Sequence, residues 1–340
     1  MNFDVIVVGG GPAGLAAAIT CQQRGVATLV VEAERCSSER PGETLHPGVE
    51  GVFRRLGVLG EIEQAGFLRH TGYYVRRGPR VILQRYGSDS RGQWKGFQAV
   101  RTELDAILLT RALSAGATIR RDRGIEPLVE SGRPVGVRTT GGTFEARFLI
   151  DAAGPGHWLQ RYLGLSALQA SDPLITSFGW TSIEDGVMDL PEFDIRGCGW
   201  TWRARVQAGR CAWVSLELDR RIAARTKRAR DVTWRIVRPC AGRGYFLVGD
   251  AAYVLDPACS HGVLKALMSG ILAGIAIADS LKGGKSEASA ARASYCAWME
   301  KWFCSDAAAL VGLYSRFVPS PAWLPSAREV LRYISMNPFF

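Results

Sequence analysis

The stretch DVIVVGGGPAGLAAAITCQQRGVATLVVE, residues 4–32, decides the fold. Residues 4–8 (DVIVV) are a continuous apolar run of the kind that forms a parallel strand buried on both faces. Gly9, Gly11 and Gly14 follow in the spacing G-x-G-x-x-G. The first glycine permits a tight turn, the second lets backbone approach a pyrophosphate, and the third allows the helix to pack closely on the strand. Pro12 and Ala13 open that helix, which runs through PAGLAAAITCQQRG, and ATLVVEAE supplies a second strand. Glu32 comes 18 residues after Gly14, near the spacing at which a carboxylate accepts hydrogen bonds from a ribose. A lone glycine fingerprint is weak, but strand, turn, helix, strand and terminal acid in succession specify a Rossmann-like nucleotide site. The acid favours an unphosphorylated ribose, hence FAD or NAD over NADP.

The rest of the chain bounds the alternatives. At 340 residues it is long enough for two domains and a large buried ligand. MNFDVIVV enters a strand at once, and no run of about 20 uninterrupted apolar residues follows. The expectation is a cytoplasmic protein without a membrane span. The eight cysteines (Cys21, Cys36, Cys198, Cys211, Cys240, Cys259, Cys296, Cys304) include no C-x-x-C pair and read mostly as buried thiols, with no metal site. The formal charge of +10, with Arg220-Arg221 and RTKRAR (225–230), raises nucleic acid as a partner. No nucleic-acid module accompanies it, so a solvated helix face or loop is the better reading. The same field would steer an acidic partner or anionic phosphates.

The choice between FAD and NAD is settled downstream. A NAD dehydrogenase completes a second mononucleotide half, whereas here a loop and helix (RCSSERPGETLHPGVEGVFRRLGV) lead to Arg-rich, strand-like residues 71–97. No second G-x-G-x-x-G appears. Four blocks in order resemble the flavin monooxygenases of the p-hydroxybenzoate hydroxylase fold, in the branch that contains flavin-dependent halogenases. Besides the glycine turn, RPGETLHPG resembles the family segment lying along the flavin, with Gly42, Glu43, Thr44 and Leu45 as matching residues. FQAVRTELDAILLTRA resembles the segment whose arginine, here Arg101, reaches the cofactor, with Gln98 nearby. FLIDAAGPGHWLQRYLGL resembles the branch's I-D-A-S-G-R segment around Asp151, Ala152 and Gly154. The last block is GDAAYVLDPACSHGVLKALMSG, residues 249–270. The resemblance assigns Asp250 to the ribitol chain of FAD, and Pro257, Gly262 and Val263 to the start of a helix aimed at the flavin ring. A helix N-terminus there favours the anionic reduced flavin.

The resemblance implies an α/β fold: a Rossmann-like FAD-binding domain of glutathione-reductase type (1–70, 98–165 and 240–285), an inserted β-sheet substrate domain (71–97 and 166–239) and a C-terminal helical segment (286–340). Trp180, Trp200, Trp202, Trp213 and Trp234 are expected as packing residues of that sheet. It also implies an FAD-dependent monooxygenase acting through a flavin C4a-hydroperoxide on an aromatic, indole-type substrate. Halogenases of the branch carry W-x-W-x-I-P and an essential lysine. Here Trp200 and Trp202 are followed by Arg203, Ala204 and Arg205, and residues 46–94 hold no lysine, which favours hydroxylation. The stretch PGETLHPGVEGVFRRLG also resembles flavoproteins that hydroxylate a tryptophan of a partner protein during cysteine tryptophylquinone biogenesis. A halogenase, a prenyl-chain reductase and an FAD-holding partner protein without turnover stay as rivals. Electrons would come from NAD(P)H or a separate flavin reductase. His46 and His261 are the ionisable side chains nearest the inferred ring and are candidate proton shuttles, while packing histidines would look the same. His157 and His70 are assigned no role. Residues 286–318 read as an Ala-rich helix ended by Pro319, Pro321 and Pro325.

Overall fold

Strand Phe3–Val8 runs between Thr28–Glu32 and Gly142–Asp151, parallel to both. Thr118–Arg121 extends the sheet beyond Thr28–Glu32, and Tyr245–Leu247 pairs in parallel with the end of Gly142–Asp151. Val5, Ile6 and Val7 are all fully buried, so both faces of the strand are covered and the run needs no polar alternation. This is a computed structural model, and it describes residues 3–33, 42–184, 188–197, 199–218 and 228–337. Register brings the strand ends into line: Gly9 N donates to Val31 O (2.9 Å), Ala152 N to Val8 O (2.8 Å) and Val248 N to Asp151 O (3.0 Å). Ligands of open α/β sheets bind along such a carboxyl edge.

Two helices rise from that edge side by side. Pro12–Gln23 starts at the glycine turn with a proline in its first turn, where the missing N–H costs no bond. Gly262–Lys282 packs against it through glycines: a Cβ on Gly270 would lie 2.2 Å from Ala13 O, and one on Gly274 2.9 Å from Thr20 Cβ. Position 270 meets 13 and 274 meets 17 and 20, so the helices run in the same direction. The longer one begins eight residues before its contact with Ala13, or about 12 Å along its axis. Its length and composition would suit a membrane span, but most of it is buried inside the protein.

The second sheet has seven strands in the order Ala229–Asp231, Ile175–Ser182, Arg210–Glu217, Gly199–Gln207, Glu192–Arg196, Gly72–Arg77, Arg80–Arg85. The hairpin near residues 71–97 and the later strands therefore form one sheet, joined by parallel pairing of Phe193 with Val75. Ser166–Gln169 and Arg235–Arg238 pair instead with each other, and the latter also with Tyr253–Val254. Trp200 and Trp234 are buried, Trp213 packs on Gly179 and Trp180 lies under Arg210.

The C-terminal region is two helices, Lys285–Tyr314 and Leu324–Met336. Pro325 starts the second helix rather than ending the first, occupying a first-turn position that needs no N–H. A buried ion pair, Arg238 Nε to Glu300 Oε1 at 2.6 Å, fastens the first helix to the core. Cys21, Cys211, Cys240 and Cys296 are buried, and Cys259 and Cys304 are half-buried. Of the basic runs, 229–230 lie on the exposed edge strand Ala229–Asp231; Arg220, Arg221 and 225–227, like Cys36 and Cys198, fall outside the described residues.

Candidate flavin site

The glycine turn separates structural glycines from an open one. Gly9 has φ +109°, and a Cβ there would lie 2.3 Å from Ala152 O. A Cβ on Gly14 would lie 2.0 Å from Gly9 O, so both positions are closed by the protein itself. Gly11 is different. Its φ of −78° suits any residue, and its Cβ direction meets no described atom within 4 Å. Its missing side chain leaves room beside the start of Pro12–Gln23, whose first turn holds no acid and offers free amides to an anion. Glu32 hangs at the same edge, its carboxylate accepting from Gly10 N–H.

Glu43, Thr44 and Leu45 form a short strand paired antiparallel with Gly96–Ala99. Thr44 Oγ1 donates to Gln98 Oε1 at 2.8 Å, and Leu45 is buried. Arg101 opens the helix Arg101–Ser114, where Nη1 meets Glu43 Oε1 at 2.8 Å and Nη2 meets Asp105 Oδ2 at 3.3 Å. Desolvation pushes the Glu43 carboxyl up, with Arg101 pulling it the other way. The guanidinium is thus engaged by two carboxylates. The residues just before this strand, Arg40 and Pro41, lie outside the described set.

Asp250 follows Gly249, whose φ is +58° and where a Cβ would lie 2.9 Å from that of Ala13. Its Oδ1 accepts from Lys265 Nζ at 2.7 Å, and the same ammonium donates to Tyr253 O at 2.9 Å and sits 4.3 Å from the Tyr253 ring centroid. Asp250 is half exposed and Lys265 buried, so the lysine braces the carboxylate from below. Asp151 is buried beneath the edge, accepting from Ala153 N and Leu159 N, and burial raises it to about 6. Asp256 caps the turn Pro257–Cys259 by accepting from Ala258 N at 2.7 Å, and its other oxygen accepts from Tyr314 OH. Burial raises it to about 6 as well. Pro257 and Gly262 stand exposed beyond it, Val263 is buried, and the first turn of Gly262–Lys282 carries no acid.

Above that helix start the rings collect. The His46 and His261 ring centroids are 5.9 Å apart, and His46 is 5.3 Å from Tyr86. Tyr86 in turn meets His70 at 5.4 Å and Tyr73 at 6.1 Å. His46 Nδ1 accepts from Gly48 N at 3.0 Å, which leaves the ring proton on Nε2. Burial lowers the His46 pKa, and His261 lowers it further. His261 Nδ1 lies 2.9 Å from Asp306 Oδ1, while Asp306 Oδ2 accepts from Trp302 Nε1 at 2.9 Å.

The FAD binding domain family matches residues 2–236 of this chain. The chain belongs to that family. Among curated relatives, the 1H-pyrrole-2-carbonyl-[peptidyl-carrier protein] brominase of Pseudoalteromonas luteoviolacea is 26% identical over 83% of this chain and 79% of its own length. The tryptophan 2-halogenase of Chondromyces crocatus is 27% identical over 85% of this chain, which spans 63% of that relative. A solved structure, the peptidyl tryptophan dihydroxylase QhpG essential for tryptophylquinone cofactor biogenesis, superposes with a TM-score of 0.73 at 21% identity, over 96% of this chain and 79% of that one.

FAD is the cofactor of this flavoprotein, and the fold is the expected α/β arrangement with a helical C-terminal segment. The residues present fit the group: an open Gly11, two acid-free helix starts, and carboxylates at Glu32 and Asp250 on the same sheet edge. Sequence reasoning named His46 and His261, and the structure brings them together. It missed Lys265, His70, Tyr86 and Asp306. A lysine inside the first turn of a largely apolar helix was a signal for the first; the others reach the cluster from a strand, a loop and a helix with no local motif.

Proposed function

We propose that this flavoprotein is a monooxygenase that hydroxylates an indole-type aromatic substrate, with a tryptophan of a partner polypeptide as the substrate class that fits best. One observation carries the reading. The ionisable rings gathered at the helix start are imidazoles and phenols, with the Asp306 carboxylate on His261, while the buried lysine there is tied to Asp250 and Tyr253 O. The other described lysines (95, 282, 285, 301) are exposed. Halogen transfer through an amine would need a free one beside the substrate. Oxygen transfer to an electron-rich ring needs orientation, exclusion of water and proton handling.

Reduced FAD supplies the activation of dioxygen when bound. The chain's own groups do the rest. The Gly262 helix start presents amides that stabilise negative charge. His46, held neutral by burial, offers Nε2–H as a donor. Tyr86, whose hydroxyl burial keeps protonated, and Tyr73 wall the cluster. The indole substrate of one relative and the peptidyl tryptophan of the structural neighbour support an indole. Electrons are supplied by transiently docked NAD(P)H or by a separate reductase.

The deciding experiment supplies reduced FAD and oxygen with free indoles and with tryptophan-containing peptides, in the presence and absence of bromide. A mass gain of one or two oxygen atoms on the indole supports the reading. A bromide-dependent mass gain overturns it in favour of halogenation, and turnover of a prenyl alkene without oxygen overturns it in favour of a reductase.

A further inference from the structure

Asp306 has no part in any cofactor motif, yet it is 6% exposed and both of its oxygens are used. It sits on the inner face of Lys285–Tyr314, the helix outside the nucleotide-binding sequence blocks. Oδ1 faces His261 Nδ1 at 2.9 Å, and Oδ2 accepts the indole N–H of Trp302 at 2.9 Å. Trp302 is itself fixed edge-on by Trp298, with ring centroids 4.8 Å apart. His261 is one-third exposed on its side chain, and among the described residues nothing bonds its Nε2.

An ionised carboxylate accepts hydrogen bonds only, so the His261 nitrogen facing it must carry the proton. We infer that Asp306 is a positioning residue that fixes the His261 proton on Nδ1 and leaves Nε2 as a bare acceptor, on a ring whose centroid is 5.9 Å from that of His46. His46 has the opposite arrangement, with Nδ1 accepting from Gly48 N and its proton on Nε2. The two neighbouring rings thus form one donor and one acceptor, able to deliver a proton at one place and remove one at another. Trp302 holds the carboxylate in register by claiming its second oxygen. The inference rests on the monooxygenase reading for the use of that acceptor, but the tautomer itself does not depend on it.

The test is ¹⁵N-histidine NMR of the FAD-loaded protein, with the His261 signals assigned by their loss in His261→Gln. Wild-type neutral His261 is expected as the Nδ1–H tautomer by about tenfold or more, given the strength of a hydrogen bond to a charged acceptor. In Asp306→Asn the amide oxygen must serve Trp302, which can only donate, so the amide NH₂ faces Nδ1 and the proton moves to Nε2. Asp306→Asn/Trp302→Phe frees the amide to turn, and Nδ1–H returns. A merely structural aspartate would leave this ratio unmoved. Oxygen-dependent turnover should fall tenfold or more in Asp306→Asn, with FAD affinity unchanged, and recover in part in the double variant. Wild-type His261 carrying its proton on Nε2 overturns the inference, and that spectrum decides even if the variants fail to fold. A reversed tautomer with undiminished turnover also overturns it. A wild-type enzyme inert toward every indole strikes at the monooxygenase reading and leaves the tautomer assignment standing.

Discussion

Gly11→Ala separates the ligand from the fold. The new methyl would meet no described atom within 4 Å, and the backbone at φ −78° accepts alanine without strain. The FAD-free protein should therefore melt close to wild type, because the about 0.4–1 kcal/mol gained from the less flexible unfolded chain is offset by the poorer N-cap that alanine makes for Pro12–Gln23. The holoprotein should behave in the opposite way, because that open space is the approach to the helix amides. If affinity for FAD falls tenfold, ligand stabilisation at a concentration of 100 times the wild-type Kd drops from about 2.7 to about 1.4 kcal/mol. Gly14→Ala is the control: its methyl lies 2.0 Å from Gly9 O, so it should destabilise both forms by at least the ~1–3 kcal/mol typical of overpacking. The assay is thermal melting with and without FAD, together with flavin fluorescence titration. A Gly11→Ala protein that binds FAD as wild type does would refute the placement of the ligand at this turn.

Two further outcomes follow from buried charge. Asp256 is fully buried with its carboxyl raised to about 6, above its unfolded value of about 3.9. The folded state therefore holds the proton more tightly, and stability is lost as pH rises from about 4 to about 6, by roughly 2–3 kcal/mol from this group. Asp256→Asn should show a flatter urea-unfolding profile over that window; an unchanged slope counts against the burial argument. Glu300→Ala removes the carboxylate that pairs with Arg238, whose side chain is 7% exposed and also donates to Asn337 O, and should cost up to about 3–5 kcal/mol. Limited proteolysis should then cut first in the two C-terminal helices, and a variant as resistant as wild type would speak against the pair as their fastening.

The first supersecondary unit was legible from residues 4–32 because each of its parts is local: an apolar run, a glycine spacing and an acid at the end of a strand. Those signals come from backbone sterics and burial, which a short sequence records directly. The pairing of His46 with His261 was legible only through resemblance, since 215 residues separate them. Asp306 left no trace, because its partners are 45 residues upstream and one helical turn away, and an aspartate on an amphipathic helix usually faces water. Lys265 was hidden differently: within GVLKALMSG it reads as a solvent-facing interruption, whereas here it is buried under Asp250. Pro325 misled because a proline can mark either end of a helix, and only the chain beyond it says which.

The glycine contact between the two parallel helices acts as a molecular ruler. With Gly270 seated on Ala13, itself one residue into its helix, the two helix mouths are held about 10 Å out of step. A ligand that engages both must span that offset, so the crossing point grades candidates by length and admits a dinucleotide where a mononucleotide would reach only one end. Moving the contact by a single helical turn would reset the scale by about 5 Å without altering any residue that touches the ligand.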